Sequence, residues 1–572
     1  MENFFLDNDD IMFQFKHLDL DRIILLKEDH FKDKDEYDYS PVDIADAKDS
    51  YNRVLEIVGD LAANFIEPRA AEVDEEGTHY ENGDVRYATG IKEDIDILSK
   101  ADLMGFTLPR KYGGLNLPIT IYSIAIEIVS RADASLMNIF GLQDIAETIN
   151  EFASENIKQD FLPRFCSGEV TGSMALTEPE AGSDLQNVQL KAHLGDDGQW
   201  YLNGVKRFIT NGCGQISLVL ARSEDGTKDG RGLSMFIYER DENMKIRRIE
   251  DKMGIHGSPT CELQFNNARA ILVGQRKRGL IKYVMSLMNG ARLAIAAQAL
   301  GIAEAAYHEA DKYAKERIQF GVAIRTMQQV SGLLLDMRMK IEAARALLYE
   351  TSMIVDIKKS LEHMMEVYPE RKSELRDDIK MYTKFADMFT PMVKAYSTEI
   401  ANQVCDDSIQ IHGGTGFMRD FNVERHFRDA RITNIYEGTT QLQVVAAIGG
   451  VMTGIWQIRI NQYLEEDFSR FTEILNKLKH AQTKLEKAIA TVKEVDNKQF
   501  EECHARSLVD MATEIIISYL LLKQAKLSQR KEIMTRLFID RTEANVERGV
   551  KMIMESSPDD IEQKYMVLDN KN

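Results

Sequence analysis

Cysteine is scarce and unpaired in this sequence. Cys166, Cys213, Cys261, Cys405 and Cys503 form no CxxC pair and no even framework, which argues against a thiolate metal site and fits a reducing compartment. Long apolar runs are missing too. "IIISYLLL" (515–522) is the longest candidate, far short of the roughly 18 residues that a spanning helix needs, so no integral membrane segment is expected. The start, "MENFFLDNDD", has no basic region ahead of an apolar stretch, so a secretory signal is not expected and the reading is a soluble, cytoplasmic protein. Basic residues are outnumbered, 71 against 92 acidic ones, for a net charge of −21. Such a chain is a poor partner for nucleic acid or an anionic membrane, both of which call for a basic face. There is no GxGxxG after a strand and no GxxxxGK[ST], so the usual dinucleotide and P-loop readings fail. No fixed-period repeat and no low-complexity tract is present.

At 572 residues the chain is too long for one core, because single cores stop growing near 250–300 residues. Residues 1–44 are acidic and aromatic-rich, with one helix expected around "DRIILLKEDHF", and read as an extension or docking arm. From 45 to 169 apolar residues recur at three- and four-residue steps, as in "YSIAIEIVSRADASL", which predicts a helical domain. From 170 to 286 the pattern changes to short β-branched and aromatic runs between Asn-Gly and Gly-rich turns, among them "GQWYLNGVKRFITNG", "ISLVLAR" and "GLSMFIYER". These predict an antiparallel β domain. From 287 to 455 four long amphipathic helices suggest a four-helix bundle, and 456–572 reads as an additional helical module with nearly balanced charge. Helices, then sheet, then helices make an α+β multidomain chain, not a Rossmann alternation.

Five stretches carry candidate chemistry. "MALTEPEAGSDL" (174–185) places Thr177, Ser183 and Asp184 around Pro179 and Gly182, so backbone N–H groups can turn toward one anion; a polar capped loop explains it equally well. "RFITNG" (207–212) puts Phe208 and Thr210 on one strand face and Ile209 on the other by the period-two rule. That suits a flat heterocycle, but an ordinary strand and turn would read the same. "KERIQFG" (315–321) ends a long helix with Arg317, either a phosphate partner or a cation at a helix C-terminus before Gly321. "QIHGGTGF" (410–417) has three glycines in four positions, for close approach of something large or for a simple helix stop. "RDARITNIYEGTTQLQ" (428–443) sets one carboxylate, Glu437, in a stretch that is otherwise uncharged from Ile432 to Gln443.

In this order and at these separations the five stretches resemble the acyl-CoA dehydrogenase family of flavoenzymes over roughly residues 45–455, and "DKMGIHGSPTCELQF" (251–265) is similar to a further part of that family's β domain. The resemblance implies FAD, bound non-covalently between β domain and bundle. Met174, Ala175, Leu176 and Thr177 would line the flavin. Ser183 would contact both FAD and acyl-CoA. Phe208, Ile209 and Thr210 match the family's Trp-Ile-Thr, with Thr210 on flavin N5. Arg317 and Phe320 match an element that reaches the FAD of a neighbouring subunit, and Gln328, Gln410, Gly413, Gly414, Thr439 and Gln441 match further FAD contacts. Asn289, Arg292 and Gly438 match substrate-contacting positions, although Asn289 is commonly Asp in the family. No metal is implied.

Glu437 matches the family's catalytic base. The α-C–H of an acyl thioester is weakly acidic, and an apolar, water-poor site makes a carboxylate a better base for it, which accounts for the neutral surroundings. The resemblance implies hydride transfer from the β-carbon to flavin N5, a trans-2-enoyl-CoA product, and electrons passed to an electron-transferring flavoprotein, as in β-oxidation of fatty acids. Some members carry the base just before the Arg of the first bundle helix. Here that position is Ala291, which leaves Glu437. Length around 360–378 and after about 456 sets this chain apart from compact members, and longer members include dimers, so a homodimer or homotetramer is expected. The rival readings are an acyl-CoA oxidase using oxygen and a non-catalytic flavin-binding relative.

Overall fold

"ISLVLAR" is apolar without alternation because the strand it forms is covered on both faces. Leu218 and Leu220 pack with Met235 and Ile237 against a helical layer that contributes Ile145, Phe161, Phe165 and Tyr283. Val219 and Ala221 face the other way, into a second core with Phe236, Tyr238, Cys261, Leu263 and Phe265. Side chains alternate at every residue, so one strand feeds two cores. Seven strands make the sheet: β1 Gly172–Ala175, β2 Lys191–Leu194, β3 Trp200–Thr210, β4 Ile216–Arg222, β5 Leu233–Glu239, β6 Met244–Ile249 and β7 Thr260–Leu272. The pairings β4–β2–β3–β7–β5–β4 run in a closed circuit, with β1 added to β4 and β6 to β7.

The expectation of an antiparallel sheet needs correction. β1 pairs with β4 in parallel, from Gly172↔Ile216 to Ala175↔Val219, and β2 meets β4 in parallel at Lys191↔Arg222, so the sheet is mixed. Strand alternation carries no information on partner direction, and β1 reaches β4 across the whole of β2 and β3. β3 also breaks its own period. Lys206 pairs with Leu263 but Ile209 with Cys261, a one-residue bulge that places Phe208 at φ 59°.

The computed structural model describes residues 2–569. The chain falls into two units, Met1–Val330 with Ala401–Glu437 and Ser331–Ile400 with Gly438–Asn572. In the first unit the N-terminal segment, expected as an extension or docking arm, packs into the fold. Its helices Asp9–His17 and Asp21–Lys27 bury Ile11, Ile23 and Ile24. Arg110 grips Glu28 through two bonds of 2.7 and 2.9 Å, both side chains buried. Arg131 grips Asp7 at 2.7 and 2.8 Å and covers the Phe4 ring at 3.8 Å. Two acidic residues of this segment, Glu28 and Asp7, thus pair with buried arginines.

The four expected long helices are Met285–Glu316, Gln328–Val367, Lys372–His412 and Thr440–Met452, and a fifth, Val423–Thr433, lies between the last two. The extra length at 360–378 prolongs two helices joined by the short turn Pro369–Arg371. In the second unit, helices Thr472–Val495, Lys498–Ala525 and Gln529–Met554 pack on one another. The apolar run 515–522 is their core, with Ile515, Ile516, Leu521 and Leu522 fully buried. Two buried ion pairs fasten this module to the Gln328–Val367 helix: Lys531 to Glu342 at 2.6 Å, and Arg459 with the Tyr463 hydroxyl to Glu350. Among the described residues no single helix is long and apolar enough to cross a membrane.

Candidate active site

The 174–183 loop is fixed by one buried ion pair. Glu178 and Ala181 exchange two backbone bonds of 3.0 and 3.1 Å across Pro179 and Glu180. The Glu178 carboxylate accepts from the backbone N–H of Gln189 and Leu190 and from Lys206 Nζ at 2.9 Å. Lys206, fully buried in β3, also donates to the Leu176 carbonyl at 2.7 Å. Burial lowers its pKa to about 8, against the pull of Glu178. The Arg207 N–H donates to the Thr177 carbonyl at 2.9 Å, so Thr177 is held beside the Phe208–Thr210 strand end. Met174 and Thr177 are half-buried, Ala175 and Leu176 buried, and Ser183 exposed. The bulge turns Phe208 outward, 52% exposed with Arg207 over its ring at 4.6 Å, while Ile209 is buried and Thr210 half-buried. An aromatic surface and two hydroxyls therefore line one edge of the sheet.

Glu437 lies just past the Val423–Thr433 helix, half-buried, with φ 53°. A left-handed backbone is rare for a residue other than Gly, Asn or Asp and marks a position held by its surroundings. Arg292, on the Met285–Glu316 helix, is 91% buried by its 9% exposure and donates to Asn289 Oδ1 at 3.1 Å. Its Nε has no hydrogen-bond partner among the described residues. Burial lowers the Arg292 pKa, and the field of the Glu437 carboxylate opposes that shift. Arg292 is thus bonded to Asn289 and within reach of the Glu437 charge. Tyr436 reaches the other way. Its hydroxyl donates to Gln298 Oε1 and, at 3.3 Å, to Asn138 Oδ1. Burial and the charge of Glu437 push its pKa up.

Arg317 caps the end of the Met285–Glu316 helix, its backbone N–H donating to the Tyr313 carbonyl, and Phe320 lies beyond it. The helix stops at Glu316, and Ile318–Gln319 pairs with Val322–Ala323 in a small hairpin whose tip is Phe320 at φ 53° and Gly321 at φ 80°. Gly321 is the turn, not a helix stop. Phe320 is 95% exposed, and Arg317 and Gln328 are exposed nearby in the chain. The Lys372–His412 helix ends at the same place, because the His412 ring stacks on Tyr313 at 4.3 Å. Gln410, Gly413 and Gly414 are exposed there, and a Cβ on either glycine would meet nothing within 4 Å. His412 Nε2 is buried without a partner among the described residues.

In the second unit, Gly438 has φ 89° and its carbonyl accepts from Lys394 Nζ at 2.6 Å and Gln443 Nε2 at 2.9 Å. Thr439 precedes the Thr440–Met452 helix and Gln441 is exposed on its first turn.

These features fit a large flat cofactor with an anionic tail. The aromatic and hydroxyl edge suits a ring system, the open glycine pair suits close approach, and among the described residues the buried Arg292 Nε is a donor, and His412 Nε2 a donor or acceptor, without a partner. The chain's motifs did not single out Lys206, Glu178, Gln298, Asn138, Tyr436 or Lys394. Lys206 stands beside Arg207 in a strand that also holds Asn203 and Thr210, so nothing in the sequence marked it as buried. Gln298 and Asn138 sit in helices, where a buried amide and a surface amide read alike.

Family models match nearly the whole chain in order: Acyl-CoA dehydrogenase, N-terminal domain, over 48–169; middle domain over 173–268; C-terminal domain over 278–448; and Acyl-CoA dehydrogenase C terminal over 452–561. The chain is similar to 3-methylmercaptopropionyl-CoA dehydrogenase of Ruegeria pomeroyi, 34% identical over 441 residues, covering 72% of this chain and 71% of the relative. It is also similar to the structure of butyryl-CoA dehydrogenase from Megasphaera elsdenii, with TM-score 0.61, 33% identity and coverage of 70% of this chain and 98% of that one. The fold, including the added helices, is shared with an acyl-CoA dehydrogenase from Bacillus anthracis complexed with FAD, with TM-score 0.75, 22% identity and 91% of each chain covered. The chain belongs to the acyl-CoA dehydrogenase family of FAD-binding oxidoreductases.

Proposed function

We propose that this protein oxidises an acyl-CoA thioester to the trans-2-enoyl-CoA, with Glu437 removing the α-proton. The observation that carries the reading is the carboxylate itself, held at φ 53° in an uncharged stretch and within the field of buried Arg292. A base fixed over one C–H contributes about 10²–10⁴-fold. The Glu437 backbone N–H is the chain's own donor to the thioester carbonyl, whose negative charge grows as the proton leaves. Asn289, Arg292, Ser183 and Gly438 orient the substrate. Met174 to Thr177, Phe208 to Thr210, Gln328, Gln410, Gly413, Gly414, Thr439 and Gln441 hold FAD, which when bound supplies the hydride-accepting chemistry.

Arg317 and Phe320 serve the FAD site of a second copy, and the exposure of Phe320 (95%) and Phe417 (80%) supports a homodimeric assembly. An electron-transferring flavoprotein is the proposed electron acceptor, and fatty-acid β-oxidation in the cytoplasm the proposed setting.

Anaerobic titration with a panel of saturated acyl-CoAs, including straight, branched and thioether chains, tests the function. Bleaching of the oxidised-flavin band by one class supports it and names the substrate class. A flavin-loaded protein that no acyl-CoA bleaches contradicts it.

A further inference from the structure

Glu437 sits in a loop, and a loop by itself does not hold a carboxylate to the fraction of an ångström that proton abstraction requires. Its left-handed backbone requires neighbours that fix it. On its N-terminal side one side chain is anchored deep in the protein. The Tyr436 hydroxyl donates to Gln298 Oε1 and to Asn138 Oδ1.

Both amides are oriented by what they do elsewhere. Gln298 Nε2 donates to the Ala134 carbonyl and to Asn138 Oδ1, each at 2.9 Å, which leaves Oε1 to accept. Asn138 Nδ2 faces Ser258 Oγ at 3.4 Å, which leaves Oδ1 to accept. Gln298 and Ser258 are fully buried and Asn138 nearly so. The chain of bonds therefore has one sense, from Tyr436 inward, and every member is satisfied. Such a network is rigid, and costly to leave half-made. Gln298 shares its helix with Arg292, six residues and roughly 9 Å along the axis away. One rigid element thus carries both Arg292, which feels the charge of Glu437, and the amide that anchors its neighbour.

We propose that Gln298 and Asn138 are positioning residues for Glu437, acting through the hydroxyl of Tyr436. The inference rests on Glu437 being the base. Neither amide touches the reacting atoms. Their effect is on where the carboxylate stands, so they alter the rate of the chemical step and leave substrate affinity and FAD content alone.

The test is a double-mutant cycle on the FAD-loaded enzyme. Wild type, Tyr436→Phe, Gln298→Met and the double variant are mixed anaerobically with an acyl-CoA that bleaches the wild type. The limiting rate of flavin reduction is read against the half-saturating concentration. Tyr436→Phe and Gln298→Met should each slow the limiting rate about 10-fold or more, since misplacement by an ångström costs on the order of 100-fold. Half-saturation and flavin content should stay within about two-fold of wild type, because uniform binding is untouched. The double variant should be no slower than Tyr436→Phe alone, because the two act as one unit. Additive losses would make Gln298 a general packing residue and overturn the proposal. An unslowed Tyr436→Phe overturns it too, whether or not Gln298→Met folds. If no acyl-CoA bleaches even the wild type, the assigned function falls and this inference with it, an outcome distinct from a bleaching wild type with an additive cycle.

Discussion

Gly438 follows the left-handed Glu437 at φ 89°, and a Cβ there would stand 2.7 Å from Gln443 Nε2. Gly438→Ala would therefore cost about 1–3 kcal/mol in backbone strain and push Gln443 off the Gly438 carbonyl, leaving Lys394 to hold it alone from the side chains observed there. The limiting rate of flavin reduction should fall by about 10-fold or more, with FAD retained; stopped-flow reduction beside a flavin absorbance count reads both. At this scale Glu437 was legible as a carboxylate alone among uncharged residues. Its backbone geometry was not, because nothing in "YEG" distinguishes a strained Glu from a relaxed one. Phe208 tells the same story: its aromatic character could be read, while the bulge that turns it outward depends on a register with β7 that lies some fifty residues on.

His256 shows what an element needs to stay in place. It sits in the 251–258 loop between β6 and β7, with Nδ1 3.0 Å from Asp74 Oδ1 and Nε2 2.8 Å from the Lys252 carbonyl. Asp74 also takes Arg428 of the Val423–Thr433 helix at 2.6 Å. The hydrogen bond to Asp74, ahead of the other causes, raises the His256 pKa from its ordinary 6.5 to about 9. A folded pKa above the unfolded one stabilises the fold fully below about pH 6.5, and that stabilisation is lost as pH rises through about 9. The difference in apparent Tm between wild type and His256→Gln should therefore be largest near pH 6 and shrink toward pH 9.5, as thermal melts across that range would register. An unchanging difference would put the effect down to packing. Helices and strands were readable here from period alone, since 3.6- and 2-residue repeats are local. The parallel β1–β4 pair and the burial of Ile11, Ile23, Ile24 and Glu28 were not, because each is decided by a partner distant in sequence. The partners of Glu28 and Asp7 in the N-terminal segment, Arg110 and Arg131, lie 82 and 124 residues on.

For the whole molecule, order and spacing of five weak motifs carried the family, which no one of them could. The proposed homodimer rests on a hairpin tip. Phe320 is almost wholly exposed at a left-handed position, which a chain that worked alone would fill more cheaply with Asn or Gly. Phe320→Asn should shift the protein toward monomer in light scattering at low micromolar concentration and weaken FAD retention, both together; a variant that stays assembled and fully loaded would remove Phe320 from the interface. In the second unit, Glu342→Ala takes away the carboxylate that buried Lys531 and Arg530 share. It should destabilise that unit by about 3–5 kcal/mol, visible in chemical denaturation. The central claim, that Glu437 is the base, is tested most directly by Glu437→Gln mixed anaerobically with the acyl-CoA that bleaches the wild type. The account predicts that the variant binds FAD and perturbs its spectrum on adding the ligand, yet fails to bleach or bleaches at least about 100-fold more slowly. Bleaching at the wild-type rate would contradict it.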